Sequence, residues 1–377
     1  MNSLRAALAI CLISPTMAGC GLAKGQVIAH HARVRVYFVA AEEVDWDYVP
    51  SRRDDAMGHP FDDSQKDYVE PGPNAVGHSY KKVVYREYTD ARFSTPKPRS
   101  SSEGYLGILG PVLRGEVGDT IKVVFKNKAS RPYSMHPHGV LYAKSSEGSM
   151  YNDNSHSGDS GEDGGMVPPG KTHDYVWQIP ERAGPGPNDP SSIVWLYHSH
   201  VDELRDVASG LFGPIIITVR GKTREDGEPM DVDREFITVF ITVNENESWY
   251  RGENMRNVTK LGPQSSIGVP PPNPQDYNLR QTINGYSFGD MPMMTMKKGE
   301  RVRWYLATLG DSSNFHTPHW HGNVVVQEGH RMDVISLLPA QTATVNMVPD
   351  NVGIWLFHCH VSDHMAGGMV ARYEVRP

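Results

Sequence analysis

Ten of the seventeen histidines in this 377-residue chain fall into four short clusters. They are His136 with His138, His198 with His200, His316 with His319 and His321, and His358 with His360 and His364, the last group built around Cys359. Imidazoles at i and i+2 recur in all four, a repetition that core packing gives no reason for. On a strand such a pair shares one face with Cβ atoms roughly 6.5–7 Å apart, so both rings can converge on one metal ion or on two neighbouring ones. In Trp355–Met369 the same alternation turns Cys359 to one face and His358 and His360 to the other. The Cys359 thiolate, His316, His364 and a weak axial thioether from Met369 make up the ligand set of a blue-copper electron-transfer centre. The eight paired imidazoles, His136, His138, His198, His200, His319, His321, His358 and His360, suffice for three further coppers with open positions where O₂ could bind.

Apolar residues make up 38% of the chain, which also holds 36 Gly and 28 Pro, a balance that suits turn-rich β structure rather than long helices. A net charge of −7 gives no basic footprint for nucleic acid. Arg5, the apolar run Ala6–Ile13 and the small residues before Cys20 read as an export signal over 1–20, with Met17-Ala-Gly-Cys20 similar to a lipoprotein cleavage box. The expected location is therefore periplasmic, secreted, or at the cell surface as a lipoprotein anchored through Cys20. With Cys11 inside the signal, Cys359 is the one thiol of the body of the protein, which excludes a disulfide within that body.

Alternation predicts a first strand over 32–40, with Val34, Val36 and Phe38 on one face. Residues 41–104 read as long connections around a strand near 82–88, and further strands are expected at 120–126, 174–179, 193–200 and 213–219. Residues 144–170 read as a solvated insertion, although Glu147, Asp153, Asp159, Glu162 and Asp163 would also suit Ca²⁺. The charged stretch 221–233, with Gly227 and Pro229, reads as a linker between halves 32–220 and 234–377. The second half repeats the first: His319-Trp-His-Gly322 matches His136-Pro-His-Gly139, and Ile354-Trp-Leu-Phe-His-Cys-His-Val361 matches Val194-Trp-Leu-Tyr-His-Ser-His-Val201. Such self-similarity predicts an all-β chain of two copies of one sandwich. At the places of His316, Cys359, His364 and Met369 the first copy carries Tyr133, Ser199, Leu204 and Leu211, so only the second is expected to hold the blue site.

These motifs resemble the multicopper oxidases, and specifically their two-domain branch, over residues 32 to the end. Tyr105-Leu-Gly-Ile-Leu-Gly-Pro111, Asn246-Glu-Ser-Trp-Tyr250 and Ile283-Asn-Gly285 add a likeness to ceruloplasmin and hephaestin. The resemblance implies tandem cupredoxin-like Greek-key sandwiches and about four coppers per chain. It assigns type 1 copper to His316, Cys359, His364 and Met369, and type 2 to His136 and His319. The type 3 pair would take His138, His198, His200, His321, His358 and His360, with Cys359 as the electron path to His358 and His360. The implied reaction couples one-electron oxidation of a donor to reduction of O₂ to water, and the implied assembly is a homotrimer with the trinuclear cluster at each subunit interface.

Three donors are weighed. For Fe²⁺, the family's iron positions fall on Asp276, Gln281 and Asp363, where an amide stands in place of a His. For Cu⁺, Met291-Pro-Met-Met-Thr-Met296 offers thioethers, although core filling is the commoner use of Met. A phenol would need an open rim over His316 or His364. Asp202, with Glu203 beside it, is the expected proton donor to reduced oxygen. A copper nitrite reductase needs only three imidazoles at its catalytic copper, and a non-catalytic copper-binding relative would not keep a complete ligand set.

Overall fold

The computed structural model describes residues 32–72, 75–152, 164–258, 276–309 and 315–377, apart from the side chains of 257, 258 and 276. The expected signal segment, Cys20, Asp153, Asp159, Glu162, Asp163 and the Asp276 side chain lie outside the described residues.

Among the described residues, nine strands come from the first half: β1 (Val34–Asp47), β2 (Ser79–Tyr88), β3 (Leu113–Glu116), β4 (Thr120–Asn127), β5 (His136–Pro137), β6 (Leu141–Tyr142), β7 (Thr172–Gln178), β8 (Ser192–His198) and β9 (Phe212–Thr218). Ten come from the second: β10 (Arg234–Asn244), β11 (Leu279–Ile283), β12 (Met294–Lys297), β13 (Val302–Thr308), β14 (Pro318–Trp320), β15 (Val325–Gln327), β16 (His330–Met332), β17 (Thr342–Met347), β18 (Gly353–Cys359) and β19 (Val370–Arg376). The short helices are α1 (Asp63–Val69), α2 (Glu203–Ser209), α3 (Arg251–Val258) and α4 (Ser362–Ala366).

The sheet orders β2-β1-β4-β7-β6 and β3-β9-β8-β5 reappear as β11-β10-β13-β17-β15-β16 and β12-β19-β18-β14. Parallel pairing of β1 with β4 is repeated by β10 with β13, and that of β3 with β9 by β12 with β19. Each half is thus two sheets closed over an apolar core, with Tyr85, Phe125, Trp177, Tyr197 and Ile215 in the first and Trp304, Trp320, Phe357, Tyr373 and Val375 in the second.

The first strand runs seven residues beyond its expected end at Ala40. Its acidic tail is stable as a strand because cations lie opposite: Glu43 pairs with Lys81 at 3.0 Å and Glu42 with Lys128 at 3.1 Å. Tyr37, Val39 and Ala41 face the core of the first half, while Val34 and Val36 face outward and are exposed. The stretch read as a linker is a pinned hairpin. Thr223 bridges Pro229, the Thr223 N–H donates to Glu116 Oε1 at 2.9 Å, and Asp231 meets the buried Arg303 at 2.9 Å.

Packing between the halves is continuous with their cores. Val194 and Leu196, on the outer face of β8, join Phe236, Ile237 and Trp304 in one cluster. Beside this seam Lys82 is fully buried; it pairs with Glu245 and donates to the Ala208 carbonyl at 2.6 Å, while Tyr48 OH donates to the same Glu245 oxygen at 2.6 Å. Removing one member of a buried pair strands the other charge. Lys82→Met is expected to cost about 3–5 kcal/mol in urea unfolding, and the double change Lys82→Met with Glu245→Gln to recover much of that loss.

Candidate metal centres

Strand β18 carries the chemistry because its pairing fixes which way each residue points. Cys359 lies opposite Pro318 and His358 opposite His319 on β14, so Cys359 enters the core with no exposed surface and His358 turns to the other face. After β18 the chain enters α4, which brings the His364 Nδ1 to 3.6 Å from Cys359 Sγ; His316 Nδ1 lies 3.9 Å from the same sulfur. His316, His364 and Met369 are buried at 1%, 4% and 0% exposure, and the Met369 carbonyl accepts from the Cys359 N–H at 3.1 Å. Burial pushes the Cys359 thiol up, partly offset by backbone N–H donors, among them Thr317 N at 3.3 Å. A cation among these three atoms would hold the sulfur as thiolate.

The first tetrad gathers at the ends of β5 and β8. His138 Nε2 and His198 Nε2 stand 3.0 Å apart, and the His136 ring lies 5.1 Å from that of His200. His198 Nδ1 donates to the Ser199 carbonyl at 3.0 Å and His136 Nδ1 to that of Glu147 at 2.6 Å, which leaves both Nε2 atoms as bare acceptors. The second tetrad repeats this. His321 Nε2 and His319 Nδ1 approach His358 Nε2 at 2.9 and 3.2 Å, His358 Nδ1 donates to the Cys359 carbonyl at 2.8 Å, and the His360 ring sits 5.2 Å from His319. Ring nitrogens converging at this distance fit copper, for which imidazole is a preferred ligand. Among the described residues no ring contact or hydrogen bond joins one tetrad to the other.

The glycine that follows each His-x-His pair has a local cause. Gly139 and Gly322 adopt φ of 77° and 73°, and an added Cβ would meet the Trp195 and Trp355 rings at 2.4 and 2.5 Å. The tryptophan three residues before His198 or His358 therefore fixes the turn that carries the other His pair.

Several expected residues sit elsewhere than the sequence suggested. Asp202 does not face the imidazoles. It caps α2, accepting from Arg205 N at 3.4 Å, because a helix start needs an acceptor there. Glu203 is the acid at the site, 3.4 Å from His200 Nε2, and Asp333 stands 3.8 Å from His319 Nε2. Leu204 is 52% exposed and does not occupy the place of His364; Asp206 does. Leu211 takes the place of Met369, since His198 pairs with Phe212 as His358 pairs with Val370. Gln281 is buried and its carbonyl oxygen already accepts from Thr242 at 2.7 Å, whereas Asp363 is exposed in the first turn of α4. Met291, Met294 and Met296 are core residues. In the loop read as a calcium site, the Glu147 carboxylate is held by Lys144 and Tyr151.

Two cupredoxin-like sandwiches, one thiol-containing cluster and two imidazole tetrads define a copper protein of the blue-oxidase class. Family models described as multicopper oxidase match residues 106–222 and 267–377, and the chain belongs to that family. It is 41% identical over 348 residues to human ferroxidase HEPHL1, 42% over 364 residues to rat hephaestin and 38% over 353 residues to human ceruloplasmin. These alignments cover 90%, 92% and 90% of this chain but only 29%, 29% and 30% of the relatives, so the chain spans less than a third of their length. Among solved structures, the multicopper oxidase mgLAC superposes with a TM-score of 0.57 at 19% identity, over 91% of this chain and 86% of that one. A copper nitrite reductase from Nitrosomonas europaea gives 0.55 at 18%, over 91% and 94%, a likeness of fold.

Burial lowers the His198 and His316 pKa values to about 3 and that of His138 to about 4, against an ordinary value of 6.5. Between these limits the unfolded chain binds more protons than the native one, so native stability is complete above about 6.5 and falls as pH drops toward 3. Metal-free protein unfolded by urea at a series of pH values is expected to lose stability steadily from pH 7 to pH 4.

Proposed function

We propose that this chain is a multicopper oxidase that takes electrons one at a time from Fe²⁺ and delivers them to O₂, forming water. The observation that carries this reading is that one residue belongs to both kinds of site. The Cys359 sulfur sits among His316 and His364, and the peptide on either side of it carries His358 and His360 into the second tetrad. Copper held by these groups would supply the one-electron acceptor at the sulfur and the oxygen-reducing centre at the imidazoles, about four ions per chain. Cys359 gives an electron a covalent route of one residue to each imidazole, and the hydrogen bond from His358 Nδ1 to the Cys359 carbonyl shortens it. Burial lowers the pKa values of His136, His138, His198, His316, His319 and His358, which keeps these rings neutral and available as ligands. Glu203 and Asp333, at the rims of the two tetrads, are placed to pass protons inward from solvent.

The small donor is favoured over a phenol. His316 and His364 present almost no surface, so the open imidazole rim that a bulky ring needs is missing among the described residues. Asp363, exposed and adjacent to His364, offers a hard oxygen ligand at that spot. With Met291, Met294 and Met296 packed in the core and Met293 the one half-buried thioether of the segment, no cuprous site is argued from them.

Each tetrad alone holds four imidazoles, and an asymmetry in what is covered supports a ring-shaped homotrimer. The outer face of β8 packs on the second half, where every residue of β13 is buried; Ser192, for instance, meets Tyr305 OH at 2.7 Å. The equivalent surfaces lack a partner among the described residues. Ile354 on β18, in the place of Val194, is 60% exposed, and Val34, Val36 and Val176 on the five-stranded sheet are 64%, 48% and 41% exposed. A second copy placed head to tail would cover both faces by the packing already used between the halves, and three such steps would close a ring. The export signal read over residues 1–20 of the sequence supports delivery outside the cytoplasm.

Copper-loaded protein supplied with Fe²⁺ is expected to consume O₂ at about one per four Fe²⁺ without releasing peroxide. Asp363→Ala should lower kcat/KM for Fe²⁺ about tenfold or more while leaving the blue absorption in place. Equal or greater turnover of a bulky phenol, or no O₂ uptake with any donor, would contradict the proposal. Ile354→Asp should dissociate the trimer in sedimentation and cost trinuclear copper, since a charge cannot be buried unpaired at such a face.

A further inference from the structure

The half of the molecule without a thiol keeps the framework of the blue site and fills it with a carboxylate. Ser199 stands where Cys359 stands, and the two share backbone partners: Ser134 N donates to Ser199 Oγ at 3.1 Å as Thr317 N does to Cys359 Sγ at 3.3 Å. One step on, His200 N donates to Ser134 Oγ at 3.0 Å as His360 N does to Thr317 Oγ1 at 3.1 Å. The Leu211 N–H donates to the Asp206 carbonyl at 3.1 Å as that of Met369 does to the carbonyl of His364 at 2.8 Å. Asp206 is therefore the counterpart of His364, reached through a helix two residues longer, and its side chain has no exposed surface.

That carboxylate is saturated with donors. Oδ2 accepts from Ser199 Oγ at 2.7 Å and from the backbone N–H groups of Val201 and Asp202 at 3.1 Å each, and Oδ1 accepts from Trp249 Nε1 at 2.8 Å. Three of the four donors belong to residues 199–202, the turn that carries His198 at one end and His200 in its middle. The fourth comes from the second half, on a Trp249 ring covered by the Arg131 and Arg205 guanidinium groups at 4.0 and 4.7 Å. A buried carboxylate is retained at the cost of its desolvation, which only a full set of hydrogen bonds offsets. Here that set spans the segment whose backbone aims two imidazoles.

We infer that Asp206 is a positioning residue for the first imidazole tetrad: its carboxylate stands where the other half has the ligand His364, and it locks the 198–202 turn in ligating geometry. This rests on the reading that the first tetrad binds copper. In the second half the corresponding turn, His358–Ser362, would be tied down by the metal that Cys359 and His364 share; in the first half hydrogen bonds to Asp206 do the same work without a metal. Asp206 touches no imidazole, so its effect passes through the backbone.

The test compares Asp206→Ala and Asp206→Asn with the parent protein, loaded and metal-free. Asp206→Ala is expected to keep its blue absorption and its trimer in sedimentation while copper falls from about four to about one per chain. In the metal-free state, hydrogen exchange of the 199–202 amides should quicken about tenfold or more, with the 359–362 amides unchanged. Asp206→Asn keeps the shape but must turn its amide N–H₂ toward either Trp249 N–H or the three donors at Oδ2, so its copper content and exchange should fall between the two. Full copper and unchanged exchange in Asp206→Ala would overturn the inference. So would loss of the blue absorption together with the rest, which would make Asp206 a general support of the fold. A parent protein that itself holds only the blue copper would instead refute the proposed function, and the metal-free exchange result would still decide the role of Asp206.

Discussion

The structure depends on imidazole nitrogens and one sulfur atom brought within a few ångströms of one another, with Cys359, His198, His316, His358 and His364 buried among them. Imidazole nitrogens stand about 3 Å apart in both tetrads, and Cys359 Sγ lies within 4 Å of two more. Water cannot satisfy such lone pairs once they are buried, and protons are kept away by the same burial that lowers the His198 and His316 pKa values. What the protein must provide is a frame stiff enough to hold these groups together before any ion arrives. Two sandwiches with large aromatic cores, and strands whose pairing fixes the face of each ligand, provide it.

Duplication explains how one frame serves two purposes. Both halves begin one His-x-His pair on a short strand and place another at the end of a long one, with a glycine under a tryptophan ring setting the turn. They diverge at one spot, where the second half has sulfur and imidazole and the first has a serine hydroxyl and a carboxylate. Backbone hydrogen bonds around that spot are the same in both. The divergence is therefore chemical, with the turn preserved on each side. Covered and uncovered faces diverge in the same way: among the described residues the packing between the halves is used once and left open at both ends.

Much of this was legible in the sequence because the ligands lie on strands, where alternation converts spacing directly into direction. His358, Cys359 and His360 needed nothing more, and the matched motifs of the halves gave the sheet repeat. Turns were harder to read. Counting forward from His200 leads to Leu204 as the counterpart of His364, whereas counting back from Leu211 leads to Asp206, and only the backbone hydrogen bonds decide between them. Asp202 looked like an acid beside the site because sequence nearness does not reveal that a helix start claims its side chain. The extension of β1 through Glu42 and Glu43 was hidden because the cations that neutralise them, Lys81 and Lys128, lie some forty and eighty-five residues away.

The most direct measurement is copper content and visible absorption of Cys359→Ser beside the parent protein, both loaded with copper and re-oxidised in air. If the sulfur anchors a copper of its own next to a separate imidazole-bound group, the variant loses the blue absorption and about one of its roughly four coppers per chain while keeping the others. An intact blue absorption in the variant, or loss of all its copper at once, would contradict the account.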